Sequence, residues 1–189
     1  MVSSIDSEAK LSLEEFLQLP ETKPASEYIH GEVEQKPMPQ GEHSIIQTDL
    51  VTAINKIARP QKLACAFTEL RCSFGGSSVV PDISVFEWSR IPRLANGRIA
   101  NRFEIAPDWT IEILSPEQSA SRVIKKITFC LNNGTKLGWF IDPDDESVTI
   151  FQPACTPAVK SGDEVLTVLE VFCDWQFSVN HLFECLYLT

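Results

Sequence analysis

Apolar positions along this chain recur with two periods, and the change from one to the other predicts its elements. Ile46, Leu50, Ala53, Ile54 and Ile57 keep the three-and-four spacing of one helix face, which predicts a helix over Glu42–Ala58 ended by Arg59-Pro60. Trp109, Ile111 and Ile113 share one face of a two-residue period while Thr110, Glu112 and Leu114 share the other, which predicts a strand over Trp109–Leu114. Ala64–Phe74 also alternates. Its apolar set moves from odd positions (Cys65, Phe67) to even ones (Leu70, Cys72, Phe74), so a bulge is expected near Thr68–Leu70. Gly75-Gly76-Ser77-Ser78 reads as a turn and Val79–Phe86 as the next strand; the double glycine is too short and isolated for a phosphate-binding loop.

The punctuation between these segments fills in the order. Ser12 with Glu15 three residues on makes a capping box for a short helix at Ser12–Leu19, stopped by Pro20. A hairpin is expected around Gly31. Ser115-Pro116 supplies a cap and a first-turn proline, with Gln118 completing a second box, for a helix over Pro116–Asn133. Val123, Ile127, Cys130 and Leu131 are its core positions and Gly134 its C-cap. Leu137–Asp142 and Ser147–Phe151 form a hairpin, Val165–Val171 a further strand and Ser178–Leu186 a terminal helix. A long polar connection, Glu87–Ala106, carries Arg90, Arg93, Arg98 and Arg102. The order α-β-α-β-β-β-α-β-β predicts one α/β or α+β domain, residues 1–189, around a mixed sheet.

Composition narrows the class. With 189 residues, 43% hydrophobic and 22% charged, the chain is long enough to bury a core without disulfides or metal staples. No apolar run approaches a membrane span, and MVSSIDSEAK lacks the layout of a signal peptide, so a cytoplasmic protein with no membrane partner is expected. Six scattered cysteines without a CxxC pair read as small core hydrophobes in a reducing compartment. The net charge of -10 argues against coating nucleic acid by bulk charge. Its distribution changes that picture. Residues 1–49 hold 3 basic and 10 acidic side chains, residues 50–136 hold 12 and 7, and residues 137–189 hold 1 and 9. A basic middle between acidic flanks fits one face suited to a polyanion, or equally a chance clustering on solvated surface.

Candidate chemistry falls in that middle segment. Asp82, after Pro81, lies inside one apolar strand and Glu112 inside another, an expensive placement for a carboxylate that nothing pairs. Two such acids on neighbouring strands can share a hard divalent cation; alternatively each sits at a strand edge and faces water. Lys126 lies off the most apolar stripe of the following helix and can lean toward Glu112, or, with Lys125, belong to a solvated face.

Four motifs in order, YIHGEVEQKPMP with His43 following, VVPDISVF, PDWTIEILSP and KKITFCLNNGTKLGWFIDP, resemble the Uma-type family of restriction-endonuclease-like proteins in the PD-(D/E)XK nuclease superfamily. The resemblance covers roughly Leu11 to Phe177. It implies an αβββαβ core with an extra N-terminal hairpin and C-terminal strands. It further implies that Asp82 and Glu112, with the carbonyl of Ile113, hold Mg2+ or Mn2+. Lys126 matches the family's lysine on the helix after the SP turn, whereas the usual superfamily position, two residues after the acid, is Leu114 here. Glu69, Glu32, His43 and Lys125 are secondary candidates.

The implied reaction is hydrolysis of DNA phosphodiesters, with Asp82, Glu112 and Lys126 catalytic and Arg90, Arg93, Arg98 and Arg102 on the DNA backbone, unless that loop is only a solvated connection. Two rivals stand beside it. One is a nuclease fold without catalysis, acting as a nucleic-acid or protein-binding module, which Leu114 keeps open. The other is an acidic structural oligomer; a homodimer is compatible with all three.

Overall fold

The structure is a computed structural model that describes residues 11–116 and 118–188; the N-terminal ten residues, where no signal-peptide layout was read, lie outside them. In chain order the elements are α1 (Leu13–Gln18), β1 (Ser26–Ile29), β2 (Glu32–Gln35), α2 (Gly41–Ala58), β3 (Ala64–Thr68), β4 (Cys72–Phe74) and β5 (Ser77–Val79). There follow β6 (Ile83–Glu87), β7 (Trp109–Ile113), α3 (Ala120–Asn132), β8 (Leu137–Asp142), β9 (Ser147–Phe151), β10 (Ala158–Ser161) and α4 (Val179–Phe183). The larger of two sheets is the expected mixed one, and a smaller antiparallel sheet that the sequence did not reveal stands beside it. The larger runs β10-β9-β8-β7-β6-β3 and the smaller β2-β1-β5-β4. Within the larger sheet β7 and β8 are parallel and joined across α3, while β3, β6 and β7 are antiparallel neighbours. The succession α2-β3-β6-β7-α3-β8 is the expected αβββαβ core, with the β4–β5 hairpin inserted between its first two strands.

Alternation along the strands divides the core between the two faces of the larger sheet. Ile83, Val85, Ile111, Ile113, Trp139 and Ile141 join Ile46, Leu50 and Ile54 of α2, together with Phe172, Phe177 and Phe183 from the C-terminal segment. The opposite set meets α3: Phe140 and Phe151 pack with Val123 and Ile127, and Cys65 and Phe86 with Phe129 and Cys130. Glu112 follows the second set, between Ile111 and Ile113, and so faces α3. Among the described residues no helix is long and apolar enough to cross a membrane.

Where the chain passes between the sheets, two expected strands are broken. The parity change in Ala64–Phe74 is a crossing from β3 in the larger sheet to β4 in the smaller, with Glu69 at positive φ (48°). The expected strand Val79–Phe86 breaks over Val80–Asp82, where Pro81 has no N–H to offer a ladder, and crosses back from β5 to β6. The two crossings are tied together, since the Glu69 N–H donates to the Asp82 carbonyl at 3.2 Å.

Other differences have local causes. The α1 capping box forms as read, with Ser12 and Glu15 bonded both ways. At α3 the Ser115/Gln118 box makes a separate turn, and the helix begins only at Ala120 after Ser119. Val165–Val171 is no strand: Leu166, Leu169 and Phe172 are buried at three-residue spacing, around a 3-10 turn at Glu170–Phe172, with one bridge from Val165 to Ser178. The strand that does form, β10, is a short and largely exposed edge with little apolar periodicity to mark it. Cys65, Cys72 and Cys130 are buried as expected, but Cys155 and Cys173 are exposed in turns.

The packing of α3 on β8 is close enough to require a glycine. A Cβ on Gly138 would collide with Cγ2 of Ile127. Gly138→Ala is expected to lower unfolding stability by about 1–3 kcal/mol, the usual scale of overpacking. Ile127→Ala should be less damaging in the Gly138→Ala background than in wild type, because the two side chains compete for one space. Urea unfolding of the four proteins tests this; strictly additive losses would refute the contact.

Candidate active site

The site lies at the seam where both chains of the double crossing meet the end of β7. β6 begins with Ile83 opposite Ile111 of β7, so Asp82, just before β6, lies near Glu112, and the two carboxylates are close enough for each to act on the other's charge. Both carboxylates are withdrawn from solvent, Asp82 to 3% exposure and Glu112 to 1%. Carboxylates placed there must find cations or hydrogen-bond donors.

Asp82 finds four. Its Oδ2 accepts from the Ile113 N–H at 2.8 Å and lies 3.2 Å from His43 Nε2, which α2 presents from its first turn. Its Oδ1 accepts from Lys36 Nζ at 2.6 Å. Gln47, one turn beyond His43, donates to the Asp82 carbonyl at 2.7 Å and contacts Glu69 Oε1 at 3.3 Å. Burial disfavours the Asp82 anion, but the Lys36 ammonium and the His43 hydrogen bond outweigh it and hold the carboxyl well below the usual range.

Glu112 shares Lys126 with another acid. Lys126, on the sheet-facing side of α3 and only 5% exposed, lies 2.7 Å from Glu112 Oε2 and donates to Glu27 Oε1 and Oε2 at 3.0 and 3.2 Å. Glu27 is oriented in turn by the Val80 N–H at 2.6 Å. Burial disfavours the Lys126 cation, yet Glu112 and Glu27 together hold its proton more tightly than usual. Burial pushes the Glu112 carboxyl up to about 8; the nearby Asp82 and Glu27 charges add to the rise and Lys126 opposes it. Glu112 Oε1 is buried without a hydrogen-bond partner, as is His43 Nδ1.

The structure therefore brings together Asp82, Glu112, Lys126, Glu69 and His43 of the residues singled out from sequence, with Ile113 adjoining. Lys125 is exposed on the outer side of α3, and Glu32 is exposed on β2, away from this cluster. The arginine loop is not brought to it either. Arg90 pairs with buried Asp108 at 2.6 Å, and Asp108 precedes β7 at the end opposite Glu112, about 13 Å along the strand. Arg93 lies over the Trp88 ring and donates to the Trp88 carbonyl. Arg98 and Arg102 are exposed and, among the described residues, make no ion pair.

Three members of the cluster were missed: Glu27, Lys36 and Gln47. Glu27 and Lys36 flank the hairpin at Gly31, and the loose alternation there gave no sign that either charge turns inward. The available signal was Glu27 beside Tyr28 in a strand, the same expensive placement that marked Asp82. Two cavities open onto the cluster from either side of Lys36. One, of about 310 Å3, is lined by Lys36, His43, Glu69 and Asp82; the other, of about 620 Å3, by Glu27, Lys36, Arg122 and Lys126.

The Uma2 family model, described as "Putative restriction endonuclease", matches residues 13–180. Among solved structures, the crystal structure of a "putative nuclease belonging to DUF820" from Anabaena variabilis ATCC 29413 is 54% identical, covers 93% of this chain and 99% of its own, and superposes with a TM-score of 0.91. No curated protein matches significantly.

The raised Glu112 carboxyl sets a pH dependence. Between about 4.5, its ordinary value, and about 8, the folded chain holds a proton that the unfolded chain has lost. That contribution is fully present at low pH and is lost as pH rises through this window. Glu112→Gln, which cannot ionise, should therefore gain on wild type steadily from pH 5 to pH 8.5 in urea-midpoint measurements. Parallel curves for the two proteins would show that Glu112 is not held protonated.

Proposed function

Because this chain belongs to the Uma2 family of restriction-endonuclease-like nucleases, we propose that it hydrolyses DNA phosphodiester bonds with a divalent cation, Mg2+ or Mn2+, at Asp82, Glu112 and the Ile113 carbonyl. The observation that carries this reading is the partnerless Glu112 Oε1, buried within electrostatic reach of the Asp82 carboxylate. A buried carboxyl oxygen without a partner is rare in folded proteins, and a hard cation that takes the place of the carboxyl proton satisfies it. Charge points the same way. Among the described residues Glu27, Glu69, Asp82 and Glu112 face two ammonium groups, Lys36 and Lys126, beside the His43 imidazole, so with all carboxyls ionised and the imidazole neutral two negative charges are left over, as many as one divalent ion neutralises.

A bound divalent ion supplies polarisation of the scissile phosphate and a more acidic water. The chain's own residues supply the rest. The Ile113 N–H and His43 fix the Asp82 carboxylate, and Lys126 holds Glu112 in place. Lys126 also lines the larger cavity, where its ammonium can meet a phosphate oxygen and stabilise charge that develops there. Lys126 thus serves from α3 in the role that Leu114 cannot fill from the strand. Arg122, two-thirds exposed at the same cavity, can exchange Glu34 for a DNA phosphate. A homodimer would present one site to each strand of a duplex.

Plasmid nicking tests the reaction. With Mg2+ or Mn2+ the wild type should convert supercoiled plasmid to open circles, and Asp82→Asn or Glu112→Gln should slow this roughly 10²–10³-fold, as removal of a transition-state-stabilising group does. Lys125→Ala should cut normally. Intact plasmid with the wild type under both metals overturns the assignment. Arg98 and Arg102, exposed and without an ion pair among the described residues, are loop arginines available to phosphates. In anisotropy titrations Arg98→Ala and Arg102→Ala should each weaken DNA binding and reduce the slope of log affinity against log salt by about 1. An unchanged slope would place that loop off the DNA.

A further inference from the structure

Lys36 makes an unusual set of contacts. Its ammonium lies within 2.6–3.0 Å of four oxygens: both carboxylate oxygens of Glu69, the Val80 carbonyl and Asp82 Oδ1. An ammonium has three N–H donors, so four oxygens from three residues surround it as a coordination shell surrounds an ion. The lysine side chain is 8% exposed, and each of its ligands comes from one of the two chain crossings at the seam. The cage does not depend on Lys36 alone, because Gln47 independently holds Glu69 Oε1 and the Asp82 carbonyl.

We propose that Lys36 is a resident cation at the Asp82 edge of the divalent-ion seat, and that the ion enters by displacing its ammonium from Asp82. This rests on the divalent-cation reading of Asp82 and Glu112 given above. The geometry makes the two occupants exclusive. Asp82 Oδ2 is already committed to Ile113 and His43, so Oδ1 is the oxygen left for an ion, and Lys36 Nζ stands 2.6 Å from it. An ion at about 2.1 Å from that oxygen would lie within or against the ammonium's own volume, charge against like charge. Lys36 has somewhere to go: it walls both cavities, so its four methylenes can swing the ammonium from the Asp82 side to the larger opening, where Lys126 and Arg122 stand. Ion entry thus adds a third basic group to the cavity that receives the phosphate. In the absence of the ion the same lysine keeps the acids from repelling one another.

Calorimetric titration with Mn2+, without DNA, provides the test. Lys36→Met keeps the length and removes the charge, and should bind Mn2+ roughly tenfold or more tightly than wild type, since a competing charge at contact distance is gone. Asp82→Asn should bind poorly in either background. Should Lys36→Met fold badly, the wild type answers by itself: the Lys36 ammonium protons, sheltered from water in the cage, should lose their slow exchange in 15N NMR as Mg2+ is added. Equal Mn2+ affinity in wild type and Lys36→Met, or an ammonium still sheltered at saturating Mg2+, overturns the displacement while leaving the ion site standing. Failure of every variant to bind Mn2+ removes the ion site and the displacement together.

Discussion

A carboxylate taken out of water must be met by a cation or by donors, and at one seam of this protein that requirement involves three carboxylates at once, with a fourth, Glu69, at the solvent edge. Asp82 and Glu112 are almost without solvent, and Lys36 and Lys126 each answer two acids. The elements around them hold these charges in range. The hairpin of the small sheet carries Glu27 and ends at Lys36, α2 turns His43 and Gln47 inward, and α3 lies close enough on the sheet for Lys126 to reach across. Buried ion pairs of this kind add little to stability compared with apolar packing of the same volume. A fold that keeps them beside a cavity and an unpartnered carboxylate oxygen is better explained by what they hold than by what they stabilise.

The two lysines are not equivalent. Lys126 stands on a helix whose apolar stripe is locked between Ile127 and the sheet, so its position is set by the core. Lys36 extends from the segment after β2, where the backbone is held by one hydrogen bond to Ala25 before Pro37 turns the chain. One charge is fixed by packing and the other by the anions it meets. Fixed and displaceable positive charge in one pocket is a useful combination wherever an anionic substrate and a metal ion must arrive in the same space.

Much of this was legible in the amino-acid sequence where burial is one-sided. The helices α1 and α2, the strand β7 and the β8–β9 hairpin carry periods of 3.6 or 2 that only one packing satisfies. Asp82 and Glu112 drew notice because an acid inside an apolar run is an expensive placement unless a partner or water meets it. The double crossing was half visible, in a parity change near Glu69 and a proline before Asp82. Alternation within a strand says nothing about which sheet the strand belongs to, so the second sheet was not. Glu27 and Lys36 escaped for a related reason: their partners come from 53 and 44 residues away, and a polar residue in a loosely alternating hairpin looks solvated until the rest of the chain closes over it. The C-terminal segment misled because Leu166, Leu169 and Phe172 cap the core by side chains without joining the ladder.

The seam has a mechanical side as well. Lys36 and Glu27 hang from the small sheet, while Asp82 and Glu112 belong to the larger one and Lys126 to the helix packed on it, so the Lys36–Asp82 and Lys126–Glu27 pairs are also ties between two layers that share an apolar cluster. Electrostatic attraction in a medium of low polarisability changes steeply with separation at 3 Å and slowly at 10 Å. Sliding one sheet over the other would thus be resisted most strongly at the start, as a latch resists and not as a spring does. The charges gathered at the pocket thus also help hold the layer above it in place.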